Sequence, residues 1–162
     1  MRNEKELIEF IKEKLNPLKI NKLRKNNVVV QLNNSELVSG LNFLKSQSYS
    51  HLATISCVDW IEDNEFELVY HLFSYQDKIN LSVKTRIDRE KSKFVTIKNL
   101  WKVASYYERD IHDFFGVEFE GNDNMEELIL ENWNELPPMR KDFKTREYVD
   151  QKFDWRQYHG QE

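Results

Sequence analysis

Apolar and polar positions along the chain follow two periods, and the switches between them outline a series of elements. Leu7, Ile8, Phe10, Ile11 and Leu15 recur at helical spacing among Lys and Glu until Pro17, which predicts a first amphipathic helix. Ile20 to Leu23 and Val28 to Leu32 flank the turn-forming Asn26 and Asn27, which predicts a hairpin. Ser35 stands as the cap of a second helix carrying Leu37, Val38, Leu41, Phe43 and Leu44, interrupted only by Gly40 and expected to lie on the sheet.

Three strand-like runs follow, His51 to Trp60, Phe66 to Tyr75 and Ile79 to Ile87, with short polar connectors that predict an antiparallel meander. The second run places Phe66, Leu68, Tyr70, Leu72 and Ser74 on one face and Glu67, Val69, His71, Phe73 and Tyr75 on the other. Lys93 to Ile97 reads as one further short strand. Leu100, Val103, Ala104, Tyr107, Ile111 and Phe114 then predict a third helix over 99–116, stopped by Gly116. This order gives an α+β class, a mostly antiparallel sheet with helices packed on it.

Beyond Gly121 the pattern changes. Asp123, Glu126, Glu127, Glu131 and Glu135 come with no Lys or Arg among them, and Pro137 and Pro138 follow. Phe143, Tyr148, Phe153, Trp155 and Tyr158 then recur without a clean period. The chain is accordingly divided into an α+β domain over 1–120 and an extended tail over 121–162. A tail so rich in aromatics needs a surface to lie on, its own core or another protein's.

Composition narrows the function. The 24 Lys and Arg against 28 Asp and Glu leave a formal charge of −4, without the basic excess of a nucleic-acid binder. Cys57 is the sole cysteine, so cysteine-ligated clusters and structural zinc sites are excluded; it reads as a small core residue in a reducing compartment. Glycine occurs only at 40, 116, 121 and 160, which leaves no dinucleotide fingerprint and no phosphate-cradling loop. The charged amino terminus has no signal-peptide core, and no run approaches the roughly 20 apolar residues of a spanning helix. Work at a membrane is therefore expected to depend on a partner.

Two constellations carry candidate chemistry. In the third helix, Glu108 and His112 lie four apart, as do Arg109 and Asp113, spacings that suit two surface ion pairs along adjacent ridges. The company of Tyr106, Tyr107, Phe114 and Phe115 points instead to burial of that charged face at an interface. A metal or acid–base use of Glu108 and His112 is the alternative, with no second His placed to help. The second constellation runs from Trp133 through Pro137, Pro138, Met139, Arg140, Lys141 and Asp142 to Phe143. Its prolines impose an extended path, Trp133 offers a large apolar anchor and Arg140 a bidentate fork, the makings of a binding strand.

These segments carry a family resemblance. Tyr107 through Gly121, reading YERDIHDFFGVEFEG, resembles the signature E-R-E-x-x-D-hydrophobic-aromatic-G-I-x-F-x-G of the 30-kDa subunit of respiratory complex I. Trp133 through Phe143 is similar to that family's W-x-x-x-P-L-R-K-D-F element. Asp110 replaces the usual third Glu. Where quinone-reducing members continue G-H-P-x-L-R-R, this chain has Gly121-Asn122-Asp123-Asn124-Met125-Glu126-Glu127, a charge reversal that implies a different partner surface. The short length and the E-R-D-x-H-D form resemble the homologous small subunit of membrane-bound, energy-converting nickel–iron hydrogenases and related ferredoxin-linked complexes.

The resemblance implies a non-catalytic peripheral-arm subunit of an ion-translocating oxidoreductase. Such a subunit holds no cofactor, while iron–sulfur clusters and nickel–iron, quinone or flavin reside in its partners. Those partners are the large catalytic subunit (the 49-kDa or hydrogenase large-subunit homologue), iron–sulfur subunits and, indirectly, the membrane arm, on the cytoplasmic side of the cell membrane. Glu108, Arg109, Asp113 and Gly116 correspond to the signature helix and its stop. Trp133, Pro138, Arg140, Lys141 and Asp142 correspond to the segment crossing the partner. The competing readings are a small stand-alone enzyme using Glu108 and His112, and an unrelated interaction module.

Overall fold

The computed structural model describes residues 2–153. It comprises α1 (Glu4–Lys14), β1 (Lys19–Arg24), β2 (Asn27–Gln31), α2 (Asn34–Ser46), β3 (His51–Trp60), β4 (Glu65–Ser74), β5 (Ile79–Asp88), β6 (Lys93–Val95), α3 (Ala104–Phe115), β7 (Glu118–Glu120) and α4 (Thr145–Lys152). The class is α+β, as the order of periods predicts. Trp155 and Tyr158, two of the tail aromatics, lie outside the described residues.

Helix α1 is set by its ends. The Asn3 side chain accepts from the amides of Lys5 and Glu6 while Glu6 reaches back to the Asn3 amide, a reciprocal capping box. Leu7 and Ile11 are fully buried beneath it. Helix α2 begins two residues earlier than expected: Asn33, not Ser35, occupies the cap position, and Ser35 lies inside the first turn. Leu37, Leu41 and Leu44 face the sheet, and Gly40 lets α2 approach so closely that a Cβ there would stand 2.7 Å from a Leu32 methyl.

Five strands form one sheet in the order β1-β2-β5-β4-β3. The hairpin and the β3-β4-β5 meander are antiparallel, and the two halves join through a parallel pairing of β2 with β5. That parallel seam follows from the long crossover between them through α2, β3 and β4, which no local pattern announces. Phe66, Leu68, Tyr70 and Leu72 of β4 are buried on the face covered by the helices, as their alternation predicts. The reverse face carries polar pairs: Glu67 pairs with Lys84 at 2.7 Å, and the His71 ring sits between the hydroxyls of Ser56 and Ser82.

The third helix is shorter than the expected 99–116 and starts at Ala104. The Trp101 indole donates to the Ser50 carbonyl at 2.6 Å, holding residues 97–103 in tight turns at the start of β3 before the helix can begin. Its end is as expected. Gly116 adopts the left-handed conformation at φ 75° and its amide closes on the His112 carbonyl. The chain then forms β7, which pairs in parallel with β6, and residues 121–153 run back over the domain's own surface to α4. The segment read as wholly extended thus contains a helix.

Gly116 is constrained twice, by its φ and by Pro137 Cγ, which would stand 3.1 Å from a Cβ. Gly116→Ala is expected to lower stability by about 1–2 kcal/mol, the cost of a left-handed L-residue, with Gly116→Asn less affected. Urea unfolding monitored by circular dichroism checks both.

A charged clasp between α3 and the 122–143 segment as candidate functional site

Three charges of α3, Glu108, Arg109 and Asp113, are spent inside the chain. Glu108 is fully buried and accepts from Thr96 Oγ1 at 2.6 Å, the Ile97 amide at 2.8 Å and Asn122 Nδ2 at 2.9 Å. It joins the helix to the turn after β6 and to the start of the returning segment. Burial raises its pKa, and those three donors oppose the rise. The Tyr70 hydroxyl is also fully buried, without a hydrogen-bond partner among the described residues, and its pKa is raised by burial and by the Glu108 charge.

At the next position, Arg109 spreads its guanidinium across two backbone carbonyls, donating to Glu126 and Glu127 at 2.9 Å each. Asp113 Oδ2 accepts from three consecutive amides, Leu128 at 3.0 Å, Ile129 at 2.8 Å and Leu130 at 3.3 Å. Burial alone would raise the Asp113 pKa, but the amides of Ile129, Leu128 and Leu130 carry it below its ordinary value. The helix thus grips the 126–130 loop by both ends of its peptide dipoles.

The two surface ion pairs that the spacing suggests are therefore not formed. Arg109 and Asp113 both turn to the returning segment, and His112 Nδ1 bonds the Val117 carbonyl at 3.0 Å instead of Glu108. With its carboxylate enclosed by Thr96, Ile97 and Asn122, Glu108 makes no acid–base pair with His112. Among the described residues no cluster of His, Cys, Asp and Glu is arranged to hold a metal.

The second constellation closes on the same domain. The Met139 amide donates to the Phe114 carbonyl and the Lys141 amide to Asp59. Asp142 accepts from Arg89 at 2.7 Å, and Arg89 also holds Asp59 in a two-point fork at 2.8 and 3.0 Å. The guanidinium carbons of Arg89 and Arg140 each lie 5.5 Å from the Phe66 ring, and the Lys141 ammonium lies 5.9 Å from Trp60. Pro138 is half-buried in this segment, while Trp133 packs against Phe143 and Tyr148 at ring separations of 5.6 and 5.1 Å. The sequence reading missed Arg89 and Asp59, since each lies singly in a strand or turn and no spacing links them.

The Asp142 pKa is lowered chiefly by its bond from Arg89. At Asp59 burial pushes upward, but Arg89 and the Lys141 amide hold the carboxylate below its usual range. Between α3 and the returning segment lies an open cavity of about 270 Å³, walled by His112, Met125, Leu130, Trp133 and Pro137.

Residues 30–149 match the family model described as respiratory-chain NADH dehydrogenase, 30 Kd subunit. The mitochondrial NADH-ubiquinone oxidoreductase 30.4 kDa subunit of Neurospora crassa is 30% identical over 134 residues, covering 80% of this chain and 47% of that protein. The chain thus spans about half the length of that relative. One protein of the F(420)H(2) dehydrogenase of Methanosarcina mazei is 29% identical, over 61% of this chain and 63% of its own length. A chain in the structure of the membrane-bound sulfane sulfur reductase, an archaeal respiratory membrane complex, superposes with a TM-score of 0.84 at 35% identity. That superposition covers 92% of this chain and 90% of that one.

Two predictions follow from the clasp. Arg89→Ala leaves the buried Asp59 unpaired and is expected to cost about 3–5 kcal/mol in denaturant unfolding; a loss under about 1 kcal/mol would mean that Asp59 is adequately solvated. The second concerns acid. Asp113, Asp59 and Asp142 have depressed pKa values, so their stabilisation is complete above the unfolded carboxylate value, about 4, and is lost as pH falls through the lower folded values. Glu108 has the opposite sign: its contribution is full below its unfolded value and declines as pH rises through the raised folded one. Asp113→Asn should therefore be less stable than wild type at pH 7, by a gap that narrows as pH falls below about 4. A gap constant across that range in urea titrations would contradict the assignment.

Proposed function

Because the chain belongs to the 30-kDa subunit family of the respiratory-chain NADH dehydrogenase, we propose that it is a non-catalytic peripheral-arm subunit of a membrane-bound, ion-translocating oxidoreductase. In this reading it scaffolds the large catalytic subunit and the neighbouring iron–sulfur subunits on the cytoplasmic side of the membrane. Iron–sulfur clusters and the nickel–iron, quinone or flavin chemistry belong to those partners.

The observation that carries the proposal is the use made of the signature charges. Glu108 and Asp113 are each saturated by three donors of the chain itself, and Arg109 by two of its carbonyls. Side chains held this way build a surface; a general acid or base needs a proton path to a reacting group. The names of the relatives support the same division of labour. One is called a subunit of an NADH-ubiquinone oxidoreductase, another of an F(420)H(2) dehydrogenase, and a third belongs to a sulfane sulfur reductase, so the electron donor or acceptor varies while the fold persists. Near full-length similarity to the sulfane sulfur reductase chain favours the short, membrane-bound branch over the quinone-reducing one. No helix among the described residues is long and apolar enough to cross a membrane, which fits attachment through partners.

Affinity-tagged chain isolated from its native host, with co-purifying proteins identified by mass spectrometry, tests the reading. The expected companions are a homologue of hydrogenase large subunits and iron–sulfur proteins, with cluster absorbance in the complex and none in the isolated chain. Recovery of the chain alone, or with stoichiometric metal of its own, would overturn the proposal.

A further inference from the structure

Every hydrogen bond between α3 and the loop from Glu126 to Glu131, among the described residues, goes to the loop's backbone. Two carbonyls go to Arg109 and three amides to Asp113, so the side chains of the tip are free to point elsewhere. Ile129 is 55% exposed and Leu128 37%. Two branched aliphatic residues are thus kept in water by five hydrogen bonds that fix the loop. Exposed apolar surface on a rigid mount is costly in a free chain, and its order lowers the entropy lost when a partner covers it.

The surroundings define the chemistry of that partner. From Glu118 to Leu136 the sequence holds seven acidic residues and no Lys or Arg. Glu118 is paired with Lys93 and Asp123 with Lys98, and the Glu127 carboxylate takes the Asn132 amide. Glu126 and Glu131, which bracket the tip, make no ion pair among the described residues. Arg109, which reaches this loop, is committed to backbone carbonyls. An apolar tip with an acidic rim repels phosphate, nucleic acid and anionic lipid, and complements an apolar socket edged by cations.

Building on the scaffold reading, we propose that Leu128 and Ile129 form a pre-ordered knob that enters an apolar socket on the large catalytic subunit, with Lys or Arg side chains of that socket facing Glu126 and Glu131. The signature pair Arg109 and Asp113 then acts at one remove from the interface, by holding the knob in position. Tyr106, 58% exposed, lies one helical turn from Arg109 and Asp110 and extends the same ridge.

The test places a photo-reactive amino acid at position 129 of the tagged full-length chain in its native host, with position 75 as control. Tyr75 is 68% exposed at the end of β4. The expected product is an adduct from 129 to a large-subunit peptide that carries Lys or Arg within a few residues of the attachment point, and no such adduct from 75. Ile129→Asp should leave the circular dichroism of the free chain unchanged while lowering the fraction recovered in the complex by about tenfold, the scale of an interface hot spot. An adduct to another subunit, to a second copy or to residues 154–162 of the same chain overturns the knob assignment, as does normal assembly of Ile129→Asp. In each of those cases the wild-type chain still enters the complex and the scaffold reading stands. If wild-type chain enters no complex, the scaffold reading falls and the knob assignment falls with it.

Discussion

A carboxylate taken out of water must receive donors from the chain around it, and this requirement at Glu108, Asp113 and Asp59 governs how the last third of the molecule is laid down. Glu108 fixes α3 to the turn after β6 and to Asn122. Asp113 gathers the amides of 128–130, and Asp59 shares Arg89 with Asp142 while taking the Lys141 amide. Three acids on or beside the sheet domain therefore pin the returning chain at its start, middle and far end. Breaking any one leaves a charge without its solvent and without its partner.

This arrangement changes what the family signature means in this chain. A charged, aromatic helix face looks like a surface waiting for another protein, yet Glu108, Arg109 and Asp113 are satisfied by side chains and backbone of the chain itself. In the proposed function the interface moves outward by one layer. The surface offered to a partner is then the outer side of the returning segment: the aliphatic tip at Leu128 and Ile129, the acidic rim and the cavity beside Trp133. In the proposed function, a protein built this way would contribute shape and charge to an assembly while electron chemistry proceeds in its neighbours, a reading supported by relatives named for different electron donors and acceptors.

Much of the fold is legible in the sequence because burial follows periodicity. The alternation in β4 and the helical stripe of α1 emerge as core positions, and Gly116 ends α3 as its conformational freedom allows. What escapes is set by single long-range bonds. The delayed start of α3 depends on an indole reaching a carbonyl 51 residues away, and the parallel seam between β2 and β5 depends on a crossover through three elements. Helix α4 escaped because it buries no residue and so leaves no apolar stripe. At the site, the spacing of Arg109 and Asp113 permits a mutual pair, and only the presence of the 126–130 backbone diverts both. The partnership of Arg89 with Asp59 and Asp142 is invisible to any local pattern, since those residues are 30 and 53 apart in sequence.

The central claim is that the signature helix organises its own chain before any partner arrives. Amide hydrogen exchange on the isolated protein at neutral pH addresses it directly, read at Leu128, Ile129 and Leu130. The account predicts slow exchange at all three amides in the free chain, with protection well above that of exposed loop amides that donate no hydrogen bond. Exchange at the rate of an unstructured peptide would contradict it, because the loop would then be ordered by the partner and not by Asp113.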